Sequence, residues 1–241
     1  MEHGNAVSED RRGLAGWAWV SLKFLGGLFA AIHIYALILF YAPVPATATM
    51  AQRVLSEGRI YRTWTPLEEV SPNVVHAVIA AEDTGFCRHQ GVDMDAIKTA
   101  IDEREQTGRL RGASTITQQT AKNVFLWNGG GFARKAPEAW MAVFIDGFWG
   151  KRRVMEVYLN IAEWGDGLFG IEAAAWGRFG KPASDLTPAE AALLAAVLPS
   201  PNKWRVDPPG PYVKGRAKGL LARMQTVSRD GLADCVLSPA P

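Results

Sequence analysis

Two glutamates and a group of cations are the residues best suited to chemistry. Glu82 and Asp83 close an apolar run, Val74 to Ala81. At the C-terminal end of such a helix a carboxylate faces the negative end of the helix dipole, and apolar surroundings disfavour its charge. Both effects make it a better proton acceptor, as a general acid or base must be. Taken alone, the segment favours a plainer reading, a solvated helix end. His89 follows among Phe86, Gly91 and Asp93. It reads as a metal ligand or, more commonly beside acids, as a hydrogen-bonded structural residue.

Gly112-Ala113-Ser114-Thr115-Ile116-Thr117-Gln118-Gln119 is polar for a helix start, and Lys122 falls two turns on. Free backbone N–H groups at such a start attract anions, phosphate included. A capped helix explains the same residues. Arg134, Lys135 and Glu138 come next. Arg134 and Glu138 are four apart, which suits a surface ion pair worth a few tenths of a kcal/mol. The apolar stretch Ala139 to Ile145 instead puts Glu138 near a buried face. Together these groups suit sugar chemistry with a phosphorylated leaving group: carboxylates move protons while Lys and Arg neutralise the departing charge.

Helical signals surround these residues. Thr65-Pro66-Leu67-Glu68 and Thr187-Pro188-Ala189-Glu190 both read as capping boxes with proline at the first helical position. Ser71-Pro72 starts a helix over 73–82, and Thr115 with Gln118 caps Ile116 to Leu126. Helices are also expected over about 136–148, 151–163 and 212–228. Only Gly58–Trp64 reads as a strand. The result is a mainly α domain from about 58 to 229, with a frayed tail over 230–241.

Ahead of it, Phe24 to Ala42 holds 19 residues without formal charge when His33 is neutral. About 20 apolar residues span a bilayer. The alternatives are a buried helix or a cleaved signal peptide with Ala46-Thr47-Ala48 as its site, but the stretch exceeds the usual ~7–15-residue signal core. Lys23 abuts the span and Arg53 lies farther off, so the N-terminal residues 1–23 are expected inside the cell. Pro43-Val44-Pro45 breaks the helix and opens a linker over 43–57.

Composition removes other classes. Among the 241 residues 48% are apolar and 21% charged, which excludes disorder. A net charge of +2 is no footprint for nucleic acid. Two cysteines, Cys87 and Cys235, cannot form a disulfide framework or a cysteine zinc cluster. Phosphate-loop, zinc-protease, α/β-hydrolase and dinucleotide fingerprints are missing.

The run Ala81-Glu82-Asp83-Thr84-Gly85-Phe86-Cys87-Arg88-His89-Gln90-Gly91-Val92-Asp93 resembles the first signature of the peptidoglycan glycosyltransferases. Gly112 to Gln119, running on to Lys122-Asn123, resembles the second. Arg134-Lys135-Ala136-Pro137-Glu138 resembles the third and Val157-Tyr158-Leu159-Asn160 the fourth. Gly170-Ile171-Glu172-Ala173-Ala174-Ala175, leading to Phe179-Gly180-Lys181, resembles the fifth. The five cover about 60–205 in the family's order. With no room for a transpeptidase domain, the short monofunctional type of Gram-negative bacteria is implied.

The resemblance implies a lysozyme-like glycosyltransferase domain with a small membrane-associated jaw, behind one N-terminal transmembrane helix. It implies polymerisation of lipid II into β-1,4-linked glycan, with inversion at the MurNAc anomeric carbon and release of undecaprenyl pyrophosphate. Glu82 matches the base that deprotonates the acceptor 4-hydroxyl, and Glu138 the second catalytic glutamate. Lys122, Arg134 and Lys135 match cations near the pyrophosphate. Ser114, Gln118 and Gln119 would line the cleft, with Asp83 and His89 supporting it on the substrate side. Mg²⁺ or Mn²⁺ near Glu138 is implied, without a dedicated cage. Implied partners are lipid II, the nascent strand, the membrane and cell-division or cell-wall synthesis proteins. The implied location is the inner membrane, with the domain periplasmic. Two departures stand out. Gly130 occupies the position eight residues after Lys122 where the family usually has Arg, so Arg134 or Lys135 must compensate or donor binding is weaker. Trp176 and Arg178 stand where Tyr is common before the Phe, and a packing change is expected. The rivals are a glycan-cleaving enzyme and a non-catalytic lipid II-binding scaffold.

Overall fold

The structure is a computed structural model that describes residues 5–108, 112–127 and 129–238. The chain divides into two compact units, Met1–Ala42 and Pro43–Pro241. The first holds one helix, α1 (Asn5–Tyr41). The first four residues of the expected N-terminal tail lie outside the described residues, and the rest of it is helical and continuous with the apolar span. Within α1, Gly16–Tyr41 is long and apolar enough to cross a membrane, with a mean hydropathy of 2.0. Its 26 residues rise about 39 Å, more than the ~30 Å hydrocarbon core.

The second unit is mainly helical. The segment expected as a linker instead carries α2 (Ala48–Glu57), because the Thr47 side chain caps it and Gly58 closes it at a φ of 78°. A short strand, β1 (Tyr61–Arg62), pairs in parallel with β2 (Leu168–Phe169). The expected capping box at Thr65 does not form. Leu67–Glu69 makes a single 3₁₀ turn with no side-chain cap. Pro72 drives Ser71 into an extended conformation, so the chain restarts there. Helix α3 (Pro72–Glu82) then begins with the Ser71 hydroxyl as cap.

Helix α4 (Met94–Thr107) carries no sequence expectation. It is polar, buries only Ala100 and is held by the Asp93 cap. Helix α5 (Ile116–Phe125) has the expected Thr115–Gln118 capping box. The two helices expected beyond it run together as α6 (Lys135–Ile161), broken at Gly150, whose φ of 70° and ψ of 168° are not helical. Helices α7 (Ile171–Phe179), α8 (Pro188–Val197, with its capping box) and α9 (Pro211–Arg229) follow.

The core is built around α3, whose Val75, Ala77, Val78 and Ile79 are fully buried. It packs on α8 and α9, while α5 lies along α6. This layering fixes the C-terminal end of α3 against the N-terminal end of α5, where the chemistry sits.

The expected frayed tail is ordered as far as it is described; 239–241 lie outside the described residues. Helix α10 (Asp234–Leu237) buries Val236. A disulfide joins Cys87 to Cys235, 148 residues apart. It straps the loop after Glu82 to α10, and Arg152 Nη1 donates to the Val236 carbonyl at 2.7 Å. Reduction of this bond, or Cys235→Ser, is expected to cost about 2–5 kcal/mol. Thermal unfolding with and without dithiothreitol measures the loss; an unchanged midpoint would mean the strap adds nothing to the packing around α10.

Candidate active site

Glu82 ends α3, half-buried, and its Oε2 accepts from Gln119 Nε2 at 2.9 Å. Among the described residues its other oxygen accepts no hydrogen bond. Glu82 lines a cleft of about 200 Å³ with Thr84, Gly112, Ala113 and Ser114. Gln119 lines a second space of about 160 Å³ with Lys122, Asn123, Tyr158 and Glu163. The Glu82–Gln119 bond therefore stands at the boundary of two pockets, one against the carboxylate and one against an amine.

The neighbouring Asp83 has a different task. It caps α3, and its carboxylate takes His89 Nε2 at 2.9 Å and the Ile116 N–H at 3.0 Å. A carboxylate on the first N–H of α5 satisfies a donor that no helix can satisfy internally and complements the dipole. Asp83 and His89, expected on the substrate side, are almost wholly buried at their side chains. They clamp α3 to α5, and Asp83 also lines the cleft beside Glu82.

Behind them, Lys151 Nζ reaches Asp146 Oδ1 and the His89 carbonyl, both at 2.6 Å. Asp146 also accepts from Thr117 Oγ1 at 3.0 Å. No sequence signal singled out Asp146 or Lys151, because their partners lie on three elements.

Gln118, expected to line the cleft, does not. Its Oε1 accepts the Thr115 N–H at 3.0 Å within the capping box, and the residue is buried. Side chains one residue apart on a helix diverge by about 100°, so Gln118 turns inward while Gln119 meets Glu82. Ser114 does face the cleft, and accepts from Lys135 Nζ at 3.1 Å.

Glu138 lies in the first turn of α6 and is 2% exposed. The surface ion-pair reading of this residue fails on that burial. Its Oε2 takes Arg134 Nη1, and its Oε1 takes Lys135 Nζ at 2.6 Å. Burial holds the Lys122 ammonium below the ordinary lysine range, opposed by the charge of Glu138 and reinforced by Arg134 and Lys135. Glu82 acts on it too, so the charges of four other side chains bear on one ammonium. Burial, with the charges of Glu82 and Asp83, pushes the Tyr158 phenol well above its usual range, which keeps it protonated.

A divalent ion near Glu138 meets a poor donor set. Both Glu138 oxygens already hold cationic side chains. Among the described residues no three His, Cys, Asp or Glu side chains gather as a metal site. Positive charge at Glu138 comes from the Arg134 and Lys135 side chains.

The two departures take definite form. Gly130 has a φ of 80°, and an added Cβ there would lie 3.1 Å from Trp127 Nε1. Arginine is strained at that position. Instead Arg134 Nε donates to the Gly129 carbonyl at 2.7 Å, which turns its guanidinium toward Glu138. Trp176 is 56% exposed, and the Arg178 side chain is largely buried.

A family model described as Transglycosylase matches residues 49–225. The chain belongs to the transglycosylase family. The match includes α2, placed above in the expected linker. This transglycosylase domain is mainly helical and lysozyme-like. Proteins named biosynthetic peptidoglycan transglycosylase are similar to it along most of both chains. The one from Rhodospirillum centenum is 50% identical over 218 residues, 90% of this chain and 94% of its own. That from Caulobacter vibrioides is 48% identical over 215 residues, 89% and 92% of the two chains. That from Pseudomonas entomophila is 46% identical over 209 residues, 84% and 87%.

Transglycosylase signature four acquires a role that its motif did not reveal. Asn160 is fully buried and clamps α6 to the segment before α3. Its Nδ2 donates to the Thr65 carbonyl and its Oδ1 accepts the Thr65 N–H, each at 2.8 Å. Glu163, also unsignalled, pairs with Arg53 Nε of α2 at 2.8 Å and brings that helix to the Lys122 pocket.

Proposed function

We propose that this chain is a peptidoglycan glycosyltransferase that polymerises lipid II into β-1,4-linked glycan, inverting the MurNAc anomeric carbon and releasing undecaprenyl pyrophosphate. The observation that carries the reading is the division of the site. Glu82 faces one pocket while Lys122, on the far side of the Glu82–Gln119 bond, faces the other. A proton must be taken from an acceptor hydroxyl while charge builds on a departing pyrophosphate, and these pockets separate the two tasks. Glycan cleavage has no phosphate leaving group and no use for the cations around Glu138.

In this mechanism the acceptor 4-hydroxyl lies against Glu82, held by the hydrogen bond from Gln119 so that one oxygen meets the substrate. That hydroxyl gives its proton to Glu82 as its oxygen attacks C1 of the donor sugar. The C1–O bond to pyrophosphate breaks on the opposite face, and Lys122, Arg134 and Lys135 take up the developing charge. Glu138 holds Arg134 and Lys135 in place, and Arg134 stands in for the cation absent at Gly130. The lipid tail explains the apolar helix α1, which keeps the domain where its substrate is dissolved. The Cys87–Cys235 disulfide supports a domain on the oxidising side of the inner membrane, the periplasm. Lipid II, the nascent strand and other cell-wall synthesis proteins are the partners this reading implies.

The test is purified full-length protein with labelled lipid II, read as glycan strands on a gel before and after muramidase digestion. Muramidase-sensitive polymer is the expected product. Cleavage of finished peptidoglycan without polymer would replace the reading with the lytic one.

A further inference from the structure

A second groove, of about 870 Å³, lies away from the catalytic carboxylates. Resting on the polymerase reading, we infer that it is a binding site for the glycan strand itself, separate from the cleft where the bond is made. The walls carry two exposed aromatic rings, Tyr61 at 51% and Trp176 at 56%. Trp176 is held rather than loose. Its Nε1 donates to Glu172 Oε1 at 2.8 Å, and Glu172 Oε2 in turn accepts the Ala183 N–H at 2.8 Å. The ring edge is thereby occupied and its face left to the groove. Arg59 lies over the Tyr61 ring, with Cζ 5.8 Å from the centroid. Arg178 Nη2 donates to the exposed carboxylate of Asp166 at 2.6 Å.

A missing side chain lets α7 pack closely on Leu168 at the edge of the groove. A Cβ at Gly177 would lie 3.0 Å from both Leu168 methyl groups. Leu168 faces this groove, while its neighbour Phe169 lines the Lys122 pocket. Successive strand residues point to opposite faces. Groove and Lys122 pocket therefore lie on the two sides of β2, one strand apart.

This is the chemistry of a saccharide site. Pyranose rings offer apolar C–H faces to fixed aromatic rings, and their hydroxyl and amide groups suit an Arg–carboxylate pair. Arg59 and Arg178 match acidic substituents along the strand. An anionic membrane surface fits less well, because Asp166 and Glu172 stand among the cations and the rings line a concavity.

The experiment uses full-length Glu82→Gln protein in detergent micelles, which holds the strand without turnover. Calorimetry measures its affinity for peptide-free glycan strands, alone and with Trp176→Ala or Trp176→Phe. Trp176→Ala is expected to weaken binding about tenfold, the equivalent of one good ring contact, and Trp176→Phe to recover most of it. In protein with Glu82 intact, Trp176→Ala should shorten the polymer. Unchanged strand affinity in Trp176→Ala overturns the proposal. So does a loss confined to binding of phosphatidylglycerol–phosphatidylethanolamine vesicles, which would assign the groove to the membrane. Failure of wild type to polymerise, with Trp176 still governing strand affinity, would sink the polymerase reading and leave the groove standing.

Discussion

Glu82→Gln lowers polymerisation by about 10²–10⁴-fold, the range for loss of a positioned general base. The substitution keeps size and shape, and the amide can still bond Gln119. Glu82 is half-buried and makes one protein hydrogen bond, that to Gln119, so folding stability should shift by no more than about 0.5 kcal/mol. Initial rates with labelled lipid II, beside thermal unfolding of the same sample, measure both. Polymer at the wild-type rate would remove Glu82 as the base. A large fall in stability would mean that the carboxylate holds the α3–α5 junction together. Asp83→Asn gives the contrast: it weakens the bonds to His89 and the Ile116 N–H. It should therefore lose stability as well as rate.

Lys122→Met separates catalysis from stability in the opposite sense. The methionine fills similar volume without a charge to bury. Rate is expected to fall about 10²–10³-fold, the usual effect of deleting one group that stabilises transition-state charge. Stability should hold or rise, because burial is the main force acting against the ammonium. The same burial sets a pH dependence. The folded protein releases this proton below the ordinary lysine range, while the unfolded chain keeps it until near 10.5. Between those two points the unfolded state binds more protons, so this group's contribution to stability rises with pH. Activity moves the other way, since only the ammonium can neutralise the leaving group. The wild-type rate should fall on that alkaline limb, and Lys122→Met should lack the limb. A variant with the same limb would assign the titration to another group.

What was legible in the sequence is what residues within one or two turns decide. The Thr115–Gln118 and Thr187–Glu190 boxes and the Ser71-Pro72 start act over a few residues, and the apolar span reads as one continuous run. The five signatures added the family's site, because they carry catalytic residues in a readable order. Where a local signal met a stronger partner it failed: Thr65 had the letters of a cap, but Asn160 takes its N–H and Arg152 takes Glu68. Helix α4 escaped notice because a polar helix held by one cap has almost no apolar period.

The tertiary structure alone shows how the two adjacent carboxylates are partnered. Glu82 and Asp83 are equal as letters. Gln119, 37 residues away, draws one toward the cleft, and the Ile116 N–H, 33 residues away, buries the other. It also turned Gln118 inward, left Trp176 exposed beside the groove and joined Cys87 to Cys235. The physical reason is common to all of these. Helix caps and amphipathic periods are encoded along the chain, whereas burial, ion pairing and the direction of a side chain past a helix end depend on elements that meet only when α3, α5, α6 and α10 pack.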